Sequence, residues 1–485
     1  MLNQSRAHVI YKRLTQPALK SRPPTRPTMD KSGKRSPKEL GTRPVRQLLM
    51  QYAVPAVVSM LAASAYNIVD RAFLGQNVGA LAIAGLAITF PIMNLSAAFG
   101  AMIGAGGSTL LSIKLGQRDY DTAERVLGNV VSLNIVVGAI FAIVAIAFID
   151  PILEFFGASP DTIVYARDYM LIILYGNIIN HLNHGLVNML RVAGHPNKAM
   201  ISVVGGVSIN VVIDYIFIYH LQLGIAGAAW ATVLSQTIGL AYLVWVLCNR
   251  NDLIRLRSGI YAMRRRIVKN IFAIGISPFC IQLCACIVVI LINRGLKTHG
   301  GDLAIGAYGI VNSITFMFIM IVMGITQGMQ PIAGYNYGAQ QYERVTQVLR
   351  YAIVYSTIVM LMSFVLCEFF PHIPIMIFTD DAETTRLAIE GMRVIQILSP
   401  LVGFQIVVGN FFQSIGMARK SIFLSLSRQL LFLVPLLLIL PHYFGTVGVW
   451  ASITVADGLS IIVSGTMLWH FYRHGAFKNQ TDIDM

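Results

Sequence analysis

The sequence predicts an all-α integral membrane protein whose twelve transmembrane helices form two repeated six-helix bundles with a V-shaped cleft between them. Three observations support this fold class: the shortage of charge, the alternating charge of the loops and an internal repeat. Of the 485 residues, 55% are hydrophobic and only 12% are charged, whereas soluble domains carry about 25% charged residues. The mean hydropathy is +0.66. This composition excludes a soluble enzyme, a nucleic-acid-binding protein and a disordered chain.

Apolar segments recur along the whole chain, and each is long enough to cross a hydrocarbon core, which takes about 20 helical residues. They are 48–74, 79–112, 123–149, 162–190, 199–219, 225–248, 267–293, 303–335, 344–370, 385–413, 420–441 and 444–471.

The loops between these segments alternate in charge. Basic residues, Arg191 among them, concentrate in every second loop and are densest in 249–266, whereas 371–384 carries acidic residues instead. By the positive-inside rule, both termini are cytoplasmic and the protein is a multi-pass protein of the cytoplasmic (inner) membrane.

The N-terminal segment 1–46 differs from the rest. It holds twelve Lys and Arg against Asp30 and Glu39 and is rich in Pro, Ser and Thr, so we expect a disordered cytoplasmic tail. Because Met29 could serve equally well as a start, residues 1–28 are expected to be dispensable. The segment 472–485 is expected to be a second cytoplasmic tail.

An internal repeat divides the chain. LGQRDYDTAERVL at 115–127 matches YGAQQYERVTQVL at 337–349, an offset of 222 residues. The sequence therefore predicts a six-helix lobe over 47–248, a basic linker over 249–266 and a second lobe over 267–471. Parallel halves of this kind are typical of transporters, which hold substrate between them.

Four polar residues are candidates for a cation site. Asp70, Asn210, Asp214 and Thr232 all lie near the outer ends of their segments, and an ionisable group inside a membrane is costly enough to suggest a function. Two carboxylates, an amide and a hydroxyl suit Na⁺ or a shared proton. The alternative for Asp70 is a pair with Arg71 or a position at the outer surface.

Other features lie within the segments. Pro55 interrupts the first segment and can bend its helix. Arg428 and Asp457 lie mid-membrane in the second half, where we expect a buried pair. The fourth segment carries polar residues that either line a cavity or form interhelical hydrogen bonds; those predicted to line a cavity are Asn177, Asn180, His181 and His184.

These patterns resemble the multidrug and toxic compound extrusion (MATE) family over about 45–471. The resemblance rests on PAVVSMLAASAYNIVDRAFLG at 55–75, GQRDYDTAERVLG at 116–128 and SINVVIDYIFIYHLQLGIAGAAWATVLSQ at 208–236. It implies a coupling-cation site at Asp70, Asn210, Asp214 and Thr232, which would also hold Na⁺ if the ion is Na⁺, and a bending helix at Pro55. Arg71 departs from the family pattern, in which this position is often neutral.

The predicted function is therefore a secondary antiporter, without enzymatic activity, that exports amphipathic or cationic drugs or toxic compounds in exchange for H⁺ or Na⁺. No cofactor is expected, and the partners are small substrates and membrane lipids but not nucleic acid. We expect a monomer. One alternative is a lipid-linked saccharide flippase of similar fold, and another is an integral-membrane transferase that uses the acidic run TDDAE at 379–383.

Overall fold

A computed structural model describes residues 39–77, 80–379 and 381–473 of the chain, and these residues are almost entirely helical. The helices of the first half are α1 (Glu39–Thr42), α2 (Val45–Asn77), α3 (Ala80–Gly116), α4 (Tyr120–Ala147), α5 (Ile149–Phe155), α6 (Ile163–Tyr175), α7 (Asn177–Val192), α8 (Pro196–Tyr215) and α9 (Gly224–Leu247), with a π-helical turn at Ile216–His220. Those of the second half are α10 (Arg265–Gly338), α11 (Tyr342–Phe369), α12 (His372–Ile375), α13 (Ala382–Gln396), α14 (Ser399–Ser414), α15 (Ala418–Leu426) and α16 (Val434–Arg473), with a π-helical turn at Ser427–Leu433.

Two of these helices are each a pair joined at a glycine. The 74 residues of α10 would extend about 110 Å as one straight helix, but the chain turns at Gly301, where φ is 67°. The second kink, in α16, is at Gly445, where φ is 57°. Eight described helices are long and apolar enough to span a membrane, or nine if α13 and α14, bent by 55°, count as one span. The membrane fold is therefore confirmed, and the count of twelve spans stays a prediction.

The repeat is visible in the helix boundaries themselves. Helix α3 ends at Gly116 and α10 at Gly338, while α4 and α11 begin at Tyr120 and Tyr342, so both boundaries recur at the offset of 222. Interruptions recur as well: α6 and α7 meet at Gly176, and α13 and α14 meet around Leu398. The two halves therefore share one scaffold.

The halves are in close contact near the ends of α3 and α10. A methyl group added to Gly116 would overlap the backbone of Tyr335, and one added to Gly338 would overlap that of Ile113. These residues are related by the same offset of 222, so the contact is reciprocal. We call this end of the molecule, which also carries α1 and the end of α16, the terminal end.

Further from the terminal end, the two lobes are in contact at two more glycines, which are related by the repeat. Gly106 leaves no room for a methyl group against Ile271, and its repeat counterpart Gly328 leaves none against Ala53. One hydrophobic core is common to both lobes in this region. Toward the opposite end, separate cores form in the second lobe and in the first. The lobes therefore diverge into a V-shaped cleft that opens away from the terminal end.

The N-terminal boundary differs from the prediction. Residues 39–46, assigned to a disordered tail, are mostly helical, and Leu40 is 1% exposed. Arg344 of the second lobe donates to the carbonyls of Leu40 (3.0 Å) and Arg43 (2.7 Å). This anchoring uses backbone carbonyls, which the composition of the segment does not reveal. The prediction of a disordered tail over residues 1–38 concerns residues that the structure does not describe. At the other end of the chain, α16 continues to Arg473, past the predicted boundary at 471.

The linker 249–266 is packed against the first lobe over most of its length, and α10 begins at Arg265. Within it, Ile254 and Ile260 are buried, and Asp252 contacts His195 at 3.1 Å. The basic linker is therefore a structured segment.

Candidate cation site and cleft

The four candidate cation-site residues come from three helices that pack together. Asp70 lies on α2, Asn210 and Asp214 on α8, and Thr232 on α9, and α2 packs against both α8 and α9. Asn210 and Asp214 share a face because they are four residues apart on one helix. All four are buried, with exposed fractions of 7%, 3%, 1% and 8% respectively.

A tyrosine that the sequence analysis did not single out joins this group. The hydroxyls of Tyr66 and Thr232 lie 2.9 Å apart. Tyr66 is one turn before Asp70 on α2, and it lies within electrostatic range of both carboxylates, as Asp70 does of Asp214. Its i, i+4 relation to Asp70 was the signal that could have found it.

The polar atoms of α8 in this group are enclosed without protein partners. Both carboxylate oxygens of Asp214, and both the oxygen and nitrogen of the Asn210 amide, have no hydrogen-bond partner among the described residues. A bare buried carboxylate costs several kcal/mol and is found neutralised instead. The group therefore fits a proton or a cation bound by hard oxygen atoms. The side chain of Arg71 lies outside the described part of the structure.

Pro55 lies where the first lobe contacts the second. The helix α2 continues through it, and Ser59 Oγ donates to the Pro55 carbonyl at 2.8 Å. The residues beside it, Ala53 and Val57, are those against which Gly328 and Gly324 pack. A change of bend at Pro55 would therefore be transmitted directly to the contact between the lobes.

One polar stripe along α7 stays partly accessible and leads to the second lobe. Asn180, His184, Asn188 and Arg191 recur at helical spacing, His184 has an exposed side chain, and Asn180 and Asn188 are half-buried. The Arg191 guanidinium reaches Gln327 of the second lobe at 2.7 Å. Two of the four predicted cavity residues, Asn180 and His184, therefore keep accessible surface, and their position in a cavity stays a prediction.

The other two predicted cavity residues do not line a cavity. Asn177 and His181 are 1% and 0% exposed because they lie on the adjacent stripe of α7, which packs against α3 and α4. Ser96 Oγ donates to Asn177 Oδ1 at 2.6 Å and lies 3.0 Å from His181 Nε2, and Asn177 Nδ2 donates to the Gly138 carbonyl at 2.9 Å. They form an interhelical hydrogen-bond network, the alternative reading of this segment.

In the second lobe, Arg428 and Asp457 form an ion pair. Arg428 Nε donates to Asp457 Oδ1 at 2.7 Å, and the Asp457 side chain is 7% exposed. The acid of the second lobe is therefore neutralised by the protein itself.

The acidic run at 379–383 provides a helix cap. Asp381 Oδ2 accepts a hydrogen bond from the Thr384 amide at 2.8 Å at the start of α13. Hydrogen bonds from Thr384 hold the pKa of Asp381 below its usual value, since they favour the charged form. Asp380 lies outside the described residues.

Comparison with known proteins identifies the family. The family model MatE matches the chain twice, over 55–216 and 273–439, once in each lobe. The multidrug export protein MepA of Staphylococcus haemolyticus is 26% identical over 409 residues, which cover 84% of this chain and 90% of that protein.

Solved structures agree with this result. An outward-facing multidrug resistance MATE family transporter of the MOP superfamily aligns with a TM-score of 0.85 and 26% identity, covering 91% of this chain and 98% of that one. A MATE structure in the bent conformation aligns with a TM-score of 0.85 and 25% identity over 93% of this chain and 99% of that one. The chain therefore belongs to the MATE family of multidrug export proteins, and it is a multi-pass membrane transporter and not an enzyme.

Proposed function

We propose that the protein is a secondary antiporter that exports amphipathic, often cationic, compounds in exchange for H⁺ or Na⁺. The observation that carries this proposal is the enclosed Asp214 carboxylate, whose two oxygens have no hydrogen-bond partner among the described residues. An exchangeable cation is the simplest neutralising partner for such a group. The multidrug export activity named for MepA supports the choice of substrate class.

Asp70, Asn210, Asp214 and Thr232 take up the coupling ion in this proposal. Tyr66, hydrogen-bonded to Thr232, closes one side of the group and adds a fifth oxygen-bearing side chain. If the ion is H⁺, the two carboxylates share it, because like charges in proximity raise each other's proton affinity. If the ion is Na⁺, the oxygens of these side chains coordinate it.

Ion uptake is coupled to the cleft through α2. This helix carries Asp70 and Tyr66 at one end and, at Pro55, contacts the second lobe. Neutralising the carboxylates changes how α2 packs on α8 and α9, and a shift at Pro55 alters the angle between the lobes. One inward elementary charge supplies about 2.3 kcal/mol per 100 mV, enough to support a modest substrate gradient.

The loop charges support a definite orientation. With the basic loops inside, both termini are cytoplasmic, the cleft opens to the outside, and the protein belongs to the cytoplasmic membrane. The cation group then lies in the outer half of the first lobe, where an external ion reaches it. The protein acts as a monomer in this scheme, since one chain supplies both lobes and the cleft.

Proteoliposome transport tests the proposal. Purified protein is reconstituted, and movement of a fluorescent lipophilic cation is driven by a pH gradient or a Na⁺ gradient, each imposed alone. One gradient is expected to drive transport, and Asp214→Asn is expected to abolish it. Asn293→Ala, at the second-lobe position that matches Asp70, serves as the control. Transport by Asp214→Asn at the wild-type rate would refute the coupling site.

A further inference from the structure

An unneutralised arginine lies at the floor of the cleft. Arg191 is close to the end of α7 and, by sequence, belongs with the basic residues of a loop. The structure instead leaves it only 4% exposed, between the two lobes. Its position is not part of the cation group described above, which lies within the first lobe.

The guanidinium is held in place by amides, not by an acid. Arg191 Nη1 donates to Asn188 Oδ1 at 3.1 Å and to Gln327 Oε1 at 2.7 Å. The described ion pairs include none for Arg191. The Nε and Nη2 atoms of Arg191 make no hydrogen bond to the described residues, and neither atom is completely enclosed by protein. That side of the guanidinium therefore keeps a small accessible surface.

The direction of the side chains places this accessible surface toward the cleft. Helix α7 and the part of α10 that carries Gln327 both run toward the terminal end, and helical side chains lean toward the N-terminus of their own helix. The side chains of Arg191, Asn188 and Gln327 thus lean away from the terminal end. Just beside them, Gln327 Nε2 approaches Met60 Sδ at 3.7 Å, and the lobes meet at Gly324 against Val57.

Arg191 and the partly exposed Arg428 differ in their surroundings. Arg428 is neutralised by Asp457 at 2.7 Å, whereas the neighbours of Arg191 are neutral amides. Burying a guanidinium without a counter-charge is costly in free energy. The planar guanidinium of Arg191 has two unused donor nitrogens, Nε and Nη2, which match the two oxygens of a carboxylate. An anionic group that enters the cleft would therefore gain both charge neutralisation and hydrogen bonds.

We propose that Arg191, positioned by Asn188 and Gln327, is an anion-binding subsite that takes the carboxylate of an amphipathic substrate. The inference rests on the proposed export function and deepens it, because it names the residue that would hold the anionic group of a zwitterionic substrate. The aromatic or aliphatic body of such a compound lies higher in the cleft, along the stripe of Asn180 and His184.

A matched pair of ligands tests the subsite. Tetramethylrhodamine and its methyl ester share one fluorescent cation and differ in a single carboxylate, and their binding to purified full-length protein in detergent is followed by fluorescence polarisation. In Arg191→Gln, affinity for the acid is expected to fall by about tenfold or more, because a hydrogen-bonded ion pair is lost. Affinity for the ester is expected to stay within about twofold of wild type.

Arg344→Gln is the control variant. Arg344 also joins the two lobes, through Leu40 and Arg43, but at the terminal end and outside the cleft. Its loss is expected to leave the ratio of acid to ester affinity unchanged. Arg191→Lys retains the charge without the planar fork and is expected to fall between wild type and Arg191→Gln; it also serves as the second variant if Arg191→Gln folds poorly.

The outcomes separate the inference from the proposed function. Equal losses for acid and ester in both Arg191 variants would show that Arg191 only fastens the lobes, and would overturn the subsite. Wild-type protein that binds the ester but not the acid would also overturn it, while leaving the export function intact. Wild-type protein that binds neither dye and transports no lipophilic cation would count against the proposed function itself.

Discussion

The two lobes share a scaffold but treat their buried acids in opposite ways. In the first, Asp214 is 1% exposed and both its oxygens lack a protein hydrogen-bond partner in the described part of the chain. In the second, Asp457 is held by Arg428 at 2.7 Å. An acid already neutralised by the protein has little to gain from a proton or Na⁺, whereas an unneutralised one binds such an ion readily. The comparison supports our proposal that ion exchange belongs to the first lobe, whereas the ion pair of the second lobe stabilises its structure.

The largest expected effect comes from the unpaired acid. Asp214→Asn should abolish gradient-driven export while substrate binding stays measurable, because the amide keeps the size of the side chain but cannot be neutralised and released in each cycle. Asp70→Asn should do the same or slightly less. Transport per folded molecule in proteoliposomes measures both. Normal export by Asp214→Asn would break the contrast between the lobes.

The paired acid should respond in stability instead. Asp457→Asn leaves Arg428 without its counter-charge and is expected to destabilise the protein by about 3 kcal/mol. This is the lower end of the range for broken buried pairs, because the Arg428 side chain is 26% exposed. Thermal unfolding in detergent measures this loss. The double variant Arg428→Met/Asp457→Leu should recover most of the stability, and, if it also transports, the pair has no part in coupling.

The reciprocal contacts between the lobes predict matched effects. Gly106→Ala and its counterpart Gly328→Ala should each lower the melting temperature, since the added methyl group overlaps backbone of the facing lobe. Gly205→Ala on α8 meets open space and should stabilise by up to about 1 kcal/mol through helix propensity. If the three variants behave alike, the close lobe contact does not exist in the protein.

The smallest effect is expected at the N-terminus. Deleting residues 1–28 should leave membrane insertion and transport nearly unchanged, because the basic residues that remain still fix the orientation. Deletion through residue 44 should be more harmful, since it removes Leu40 and Arg43, the carbonyls of which hold Arg344. Expression level and transport of the two truncations give the comparison, and equal behaviour would show that the anchored segment is unimportant.

Much of the fold follows from patterns that are local in sequence. Apolar runs longer than about 20 residues must be helical in lipid, because backbone groups find no other hydrogen-bond partner there. The match of 115–127 to 337–349 located the repeat, and the helix ends at Gly116 and Gly338 follow it. The sequence also singled out Asp70, Asn210, Asp214 and Thr232, since polar residues are rare enough in apolar segments to be conspicuous.

The direction in which each polar side chain points could not be predicted from the sequence. Asn177 and His181 differ from Asn180 and His184 only by their position around one helix, and a polar residue on α7 satisfies the same pattern whether it faces the cleft or the lobe interior. In the sequence, Arg191 looks like a basic loop residue. Its burial could not be predicted because it involves Gln327, which is 136 residues away. Tyr66 is an ordinary aromatic residue until its hydroxyl is placed beside Thr232.

Composition and periodicity, which act along the chain, were enough to predict the membrane-embedded helical fold, the two-lobed repeat and the set of polar residues in the first lobe. The packing of the helices was needed to show which acid is neutralised by the protein, where the lobes meet at glycine, and that Arg191 is buried against Gln327 of the second lobe. Those depend on distances between residues far apart in sequence, which are set by how helices pack and not by which residues each helix contains.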